Sequence, residues 1–204
     1  MKNLMTAVLI ILFGTLKLTA QNGKPVLDAF AGSYVAEADR DYAKAIEYLQ
    51  KLYDRQSYEM NLRLGWLYYL KGSYPESVHH YKIATDLKPL AIEPKFGLVL
   101  PAAAMGNWEN VRKQYLEILT IDPQNTLANY RLGYIYYNIQ NYRDAYKHFE
   151  KVVNLYPFDY DGLLMYAWTN FRLGKLREAK VLFNKVLMYS PDDPSALEGL
   201  QLIQ

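Results

Sequence analysis

The chain has 204 residues, of which 51% are hydrophobic and 22% are charged, and its formal net charge is only +2. This balance excludes an intrinsically disordered or fibrous protein, and it leaves no basic stripe of the kind that nucleic-acid binders use to neutralise phosphates. The sequence contains no cysteine, which excludes disulfides, a cysteine nucleophile and the lipid anchor of bacterial lipoproteins.

Residues 1–20 have the composition of a secretory signal peptide. A basic start at Lys2 precedes a nearly continuous apolar run over residues 4–13, and Leu18, Thr19 and Ala20 follow. The run is shorter than the roughly 20 apolar residues that span a bilayer. We therefore expect cleavage after Ala20 and export, to the periplasm or the medium, with no stable membrane span in the mature protein. The alternatives are a buried first helix and a retained anchor.

From residue 21 onward, the sequence repeats with a period of 34 residues. Prolines recur at this interval, at Pro89, Pro123, Pro157 and Pro191. The segment RLGWLYY at residues 63–69 recurs as RLGYIYY at residues 131–137, which is two periods later. A fixed period of this length indicates stacked copies of one supersecondary unit.

Each copy has the pattern of two helices joined by a turn. The first helix packs through residues three or four positions apart, such as Leu64, Gly65 and Tyr68, and the second through Ser77, Tyr81 and Ala84. Side chains that can cap the second helix stand at the turn in four copies, at Asp41, Ser73, Asn107 and Asn141, whereas the last copy has Lys175. The proline that recurs in the last four of the five copies is expected to end the second helix.

This arrangement resembles the tetratricopeptide repeat family over essentially all of residues 21–204. The resemblance implies an all-α fold, a right-handed superhelical solenoid of antiparallel helix pairs. We divide it into five repeats and a closing helix, at residues 26–57, 58–91, 92–125, 126–159, 160–193 and 194–204. The third repeat departs from the pattern because Pro101 lies inside its first helix, where a proline ordinarily costs about 3 kcal/mol. We expect a kink or a shortened helix there, and a change in curvature.

The resemblance also implies that the first helices line a concave groove that binds a partner. Helical phase assigns to that groove a set of first-helix positions that we call the groove row: Phe30, Tyr34, Leu62, Trp66, Tyr69, Phe96, Leu100, Tyr130, Tyr134, Tyr137, Leu164, Trp168 and Phe171, flanked by Arg63 and Arg131. Aromatic and arginine side chains are frequent anchors of interfaces. The alternative is that these rings pack against a neighbouring helix. The family's carboxylate clamp, which uses lysine and asparagine, is not expected here because aromatic residues replace those side chains.

No catalytic, metal or cofactor site is predicted. His80 and His148 share one repeat phase and each follows an acidic residue by four positions, but no further ligands accompany them, and we expect both on the solvated surface. The sequence has no glycine-rich phosphate loop and no serine nucleophile motif. Our hypothesis is a non-enzymatic scaffold or adaptor of the bacterial cell envelope that binds a peptide or helix of another protein in the groove row. The alternative is a module that binds a glycan or cell-wall polysaccharide, and an enzyme is a third, weaker option.

Overall fold

A computed structural model describes residues 23–203, and the regular structure within them is entirely α-helical. The helices are α1 (23–38), α2 (Tyr42–Gln50), α3 (Tyr58–Leu70), α4 (Tyr74–Leu87), α5 (Glu93–Ala104), α6 (Trp108–Ile121), α7 (Thr126–Asn138), α8 (Tyr142–Leu155), α9 (Tyr160–Arg172), α10 (Leu176–Tyr189) and α11 (Pro194–Gln201). The prediction of an all-α fold built from helix pairs is confirmed. The predicted signal peptide at residues 1–20 lies outside the described residues.

Polar side chains cap most of the second helices. Asp41, Asn107 and Asn141 each accept a hydrogen bond from the backbone N–H three residues later. The donor–acceptor distances are 3.0, 3.1 and 3.3 Å, respectively. The prediction for Ser73 is wrong, because within the described chain its side chain accepts no bond from the start of α4. Pro75 does not explain the missing bond, because the three caps accept from the N–H three residues later, and at Ser73 that donor is Glu76. Lys175 leaves α10 without a side-chain cap in the same described region, as predicted.

The residue before each of these caps has a left-handed backbone. Glycine fills this position at Gly72, Gly106 and Gly174, with φ between 71° and 81°. Arg40 and Gln140 adopt the same conformation with φ near 60°. A side chain in this region costs on the order of 1 kcal/mol, which glycine avoids because it has no Cβ. The turn is thus the same in five helix pairs, although its sequence differs.

The repeated prolines act as predicted at the other end of the second helices. The residue before each proline has φ between −128° and −134°, at Lys88, Asp122, Tyr156 and Ser190. A residue before proline is restricted to such extended conformations, so α4, α6, α8 and α10 end there.

Pro101 behaves differently, since α5 continues through it to Ala104. That helix has 12 residues where α3, α7 and α9 have 13, but the missing residue is at its start. Pro101 therefore does not shorten the helix, and the kink remains a prediction.

The chain divides into two compact units after Met105, with α1–α5 in unit 1 and α6–α11 in unit 2. In unit 1, α3 packs against α2, α4 and α5. The ring of Tyr81 on α4 lies between Gly65 of α3 and Gly97 of α5, where an added Cβ would come within 2.8 and 2.2 Å of ring atoms. Because Tyr81 is buried, these two glycines set how closely the three helices approach.

Unit 2 repeats this packing around phenylalanine. Phe149 of α8 and Phe183 of α10 are fully buried, and the backbone of Gly133 and Gly199 faces their rings. The helices α7, α9 and α11 also contact one another in sequence. Within this unit, the first helices of successive repeats are therefore neighbours, and so are the groove-row residues that they carry.

Candidate partner-binding surface

One partly buried carboxylate organises the groove row of unit 1. Glu37 of α1 accepts a hydrogen bond from the indole Nε1 of Trp66 at 2.7 Å and forms an ion pair with Nη1 of Arg63. Each carboxylate oxygen thus has one partner from α3. A planar indole held by its single donor keeps a fixed orientation, because rotation of the ring would break that bond.

Tyr34 covers this ion pair from the solvent side. Its ring lies 3.8 Å from the guanidinium carbon of Arg63, whose Nε also donates to the Ser33 hydroxyl at 3.2 Å. The Tyr34 side chain is 56% exposed, whereas that of Arg63 is only 7% exposed. Arg63 is therefore buried beneath Tyr34, and its predicted role in binding a partner stays a prediction.

The remaining groove-row residues of unit 1 are half-buried. Trp66 lies 5.8 Å from Tyr69 between ring centres, and Leu62 is also partly accessible. Phe30 and Trp66 pack against the core formed by α1, α2 and α3. The alternative that these rings serve packing thus applies in part to Trp66, and Tyr34 is the aromatic side chain that this surface presents most openly.

Unit 2 orients its groove-row tryptophan, Trp168, in a similar way. Trp168 donates its Nε1–H to the Ser195 hydroxyl of α11 at 2.9 Å, and its ring meets the buried Phe183 edge to face at 5.0 Å. Phe171 lies 5.6 Å from the same indole. Both rings pack against the core of this unit, so they too combine packing with a partly exposed edge.

Tyr134 is the exposed groove-row residue of α7, with 47% of its surface accessible. Tyr130 is half-buried against Phe149, and Arg131 is exposed with its guanidinium 6.0 Å from the Tyr130 ring. Tyr137 accepts a long hydrogen bond of 3.5 Å from Nε of Arg172 on α9. The two units therefore present the same motif: an exposed tyrosine and an indole fixed by a hydrogen bond.

Sequence analysis missed the side chains that hold this motif. Glu37 and Ser195 fix the two indoles, and Arg172 binds Tyr137. Each lies on a different helix from the ring that it holds, between 27 and 35 residues away along the chain. A search for polar residues about one period from each groove-row aromatic would have found all three.

The expectation that His80 and His148 lie on the solvated surface is wrong, because His80 is buried and His148 is half-buried. Nδ1 of His80 lies 3.0 Å from the side-chain oxygen of Asn61, and its ring stacks on Tyr68. His148 repeats this arrangement with Asn129 and Tyr136. Burial lowers the pKa of His80 to about 4, with a smaller contribution from His79, and burial also lowers the pKa of His148. Both are neutral packing groups near pH 7.

A second aromatic cluster lies outside the groove row in unit 2. Tyr189 contacts Phe158 and Tyr160 with ring centres 5.5 and 5.6 Å apart. Phe158 and Tyr189 are more than half exposed. The Tyr160 hydroxyl donates a hydrogen bond of 2.5 Å to Asp193, and this bond raises the pKa of Tyr160 to about 12. This cluster offers a competing surface for a partner, and the period-34 pattern did not indicate it.

Comparison with known proteins identifies the repeats. Two models, each described as tetratricopeptide repeat, match residues 30–92 and 140–202, together more than half of the chain. The chain belongs to the tetratricopeptide repeat family. A TPR repeat-containing protein of Methanocaldococcus jannaschii is 25% identical over 76% of this chain and 35% of its own length. The TPR repeat-containing protein YpiA of Bacillus subtilis is 25% identical over 88% and 43%. The chain thus spans less than half of these curated relatives.

Solved structures share the fold of this tetratricopeptide repeat protein. A tetratricopeptide repeat protein from Parabacteroides merdae superimposes with a TM-score of 0.73 at 22% identity, over 89% of this chain and 73% of that one. MamA superimposes with a TM-score of 0.69 at 18% identity, over 81% and 92%. Among the helices of residues 23–203, none has the length and apolar character needed to cross a membrane. Tetratricopeptide repeat domains bind other proteins and are generally non-catalytic scaffolds, and the fold of this chain is consistent with that role.

Proposed function

We propose that this protein is a non-enzymatic scaffold or adaptor of the bacterial cell envelope that binds a peptide or helix of another protein through its groove row. The observation that carries the proposal is the pairing of an exposed tyrosine with a fixed indole on first helices, Tyr34 with Trp66 and Tyr134 with Trp168. Rigid aromatic side chains bind with little loss of conformational entropy, which favours their use as interface anchors.

The envelope location rests on the sequence of residues 1–20 alone. It is tested by fractionating cells that express the full chain and determining the N-terminus of the product by mass spectrometry. A product that begins near Gln21 in the periplasmic or secreted fraction supports the proposal. A full-length product in the cytoplasm would refute export.

The binding surface is tested by affinity capture from an envelope extract. The groove variant carries Tyr34→Ala and Tyr134→Ala, which remove exposed rings without opening the core. The matched control carries Tyr156→Ala and Tyr189→Ala, two tyrosines outside the row that are equally exposed at 57% and 56%. Circular dichroism verifies that both variants fold.

A protein partner lost only by the groove variant supports the proposal and identifies the partner. A partner lost only by the control moves the interface to the cluster around Tyr189 and refutes the groove. Retention of polysaccharide instead of protein would favour the alternative, a glycan-binding module.

A further inference from the structure

The guanidinium of Arg63 has a donor group that the fold leaves unused. Nε donates to Ser33 and Nη1 pairs with Glu37, but Nη2 is buried and has no hydrogen-bond partner among residues 23–203. A buried donor without a partner carries most of its desolvation cost uncompensated, so an acceptor that reached it would be bound favourably. Side chains with such an unused donor in a nine-tenths-buried position are uncommon in folded proteins.

The guanidinium of Arg63 is covered in part by a side chain that can move, the ring of Tyr34. The Tyr34 ring lies against the guanidinium on the solvent side, and more than half of its own surface is exposed. Rotamer changes of exposed side chains occur within nanoseconds. Rotation of Tyr34 about its Cα–Cβ bond would therefore open a path to Arg63 without any change in the helices.

The charge of the pair selects the kind of acceptor. Glu37 already neutralises Arg63, and the second Glu37 oxygen is taken by Trp66. A partner carboxylate at Nη2 would be repelled by the Glu37 carboxylate a few ångströms away. A neutral carbonyl oxygen accepts the same hydrogen bond without that repulsion.

We propose that Arg63 is the hydrogen-bond anchor of the groove row in unit 1, and that it donates from Nη2 to a backbone carbonyl of an uncharged peptide segment that displaces the Tyr34 ring. The inference rests on the proposed function and specifies its ligand. The segment lies along Tyr34 and Trp66, whose rings suit apolar or aromatic side chains. Recognition by one neutral carbonyl predicts an affinity that changes little with salt.

The test uses the full chain and a peptide selected against it from a random display library. The peptide is synthesised as a series with one backbone amide at a time replaced by an ester, which removes the N–H and weakens the carbonyl acceptor. A matching series of N-methyl amides replaces the N–H by N–CH3 and keeps the strong amide carbonyl. We expect one ester position to weaken binding about tenfold, as for a bond to a charged donor, while its N-methyl counterpart does not.

Arg63→Lys keeps the charge that pairs with Glu37 but removes Nη2. The ester position that weakens binding to the unmutated chain should therefore have no effect in this variant. Arg131→Lys is the control, because Arg131 occupies the same repeat position two periods later and is exposed. If Arg63→Lys does not fold, the ester and N-methyl series on the unmutated chain still tests the inference, since the absence of an ester-sensitive position would refute it.

Several outcomes would overturn the inference and leave the proposed function standing. These are the absence of an ester-sensitive position, an ester effect that persists in Arg63→Lys, and a selected peptide that is acidic and salt-sensitive. A library that yields no peptide sensitive to either tyrosine would refute the proposed function itself.

Discussion

Acid should destabilise this fold in a pH range where carboxylates are still ionised. His80 is buried against Tyr68 and Tyr53, with Asn61 at its Nδ1 and His79 beside it. Burial lowers its pKa to about 4 in the folded protein, against about 6.5 in the unfolded chain. A proton therefore binds the unfolded chain more tightly, and acid favours unfolding.

The sign and size follow from these two pKa values. Above pH 6.5, His80 does not reduce the free energy of unfolding. As the pH drops from 6.5 towards 4, protonation of His80 in the unfolded chain lowers that free energy. Below pH 4, His80 lowers it no further. Between about pH 7 and about pH 5, His80 alone should remove about 2 kcal/mol from the free energy of unfolding. Carboxylates affect stability at a lower pH than His80 does. The hydrogen bond from Lys147 lowers the pKa of Asp144, so this group loses its contribution to stability only below about pH 3.8.

Urea unfolding followed by circular dichroism over this pH range measures the effect. His80→Gln should remove the contribution of His80 to the pH dependence, whatever the variant does to stability at neutral pH. Glutamine is chosen because Gln114 occupies the same repeat position one period later. His79→Gln is the matched control, since His79 is exposed and should leave the pH dependence nearly intact. An equal loss of stability above pH 5 in His80→Gln and in the unmutated protein would refute the reasoning.

Two further predictions compare a functional contact with a matched control by urea unfolding. Glu37→Ala leaves the buried guanidinium of Arg63 without its carboxylate and should cost about 3–5 kcal/mol, whereas Glu47→Ala, at an exposed ion pair, should leave the urea midpoint unchanged. Similar midpoints for the two variants would contradict a buried pair. Asn141→Ala removes a cap and should cost about 1 kcal/mol, whereas Ser73→Ala should have little effect because no cap bond is lost in the described chain. A larger loss for Ser73→Ala would contradict the cap assignment.

Periodicity predicted what depends on position within one repeat. The burial of Leu64 and Tyr81, and the helix ends before the prolines, follow from the 34-residue spacing because every copy needs the same packing face and the same stop. The same spacing predicted a cap bond at Ser73, which does not form in the described chain although the Glu76 N–H is present. A residue type that can cap a helix therefore does not by itself determine whether the bond forms.

Contacts between helices were harder to predict. Arg63 has the position of a groove residue, but its burial depends on Glu37, which lies in the first repeat, where the match to the pattern is weakest. His80 was placed on the surface because its partner, Asn61, is 19 residues away on another helix. The same spacing between Asn129 and His148 was visible in the sequence and could have indicated a conserved internal pairing between the two copies.

The paired asparagine and histidine have a consequence for how the repeats find their correct neighbours. Copies that are nearly identical in sequence can exchange helices during folding, which is a common cause of misfolding in repeat arrays. In the fifth repeat, leucines occupy the positions of Asn61 and His80, at Leu163 and Leu182. If α3 docked on α10 in place of α9, the Asn61 oxygen would face Leu182 and lose its contact with His80, although the bonds of Asn61 with Tyr53 and with the backbone of Arg55 and Ser57 would remain. The polar pair therefore distinguishes the second and fourth helix pairs, which both contain it, from the fifth, and it does not distinguish the second from the fourth.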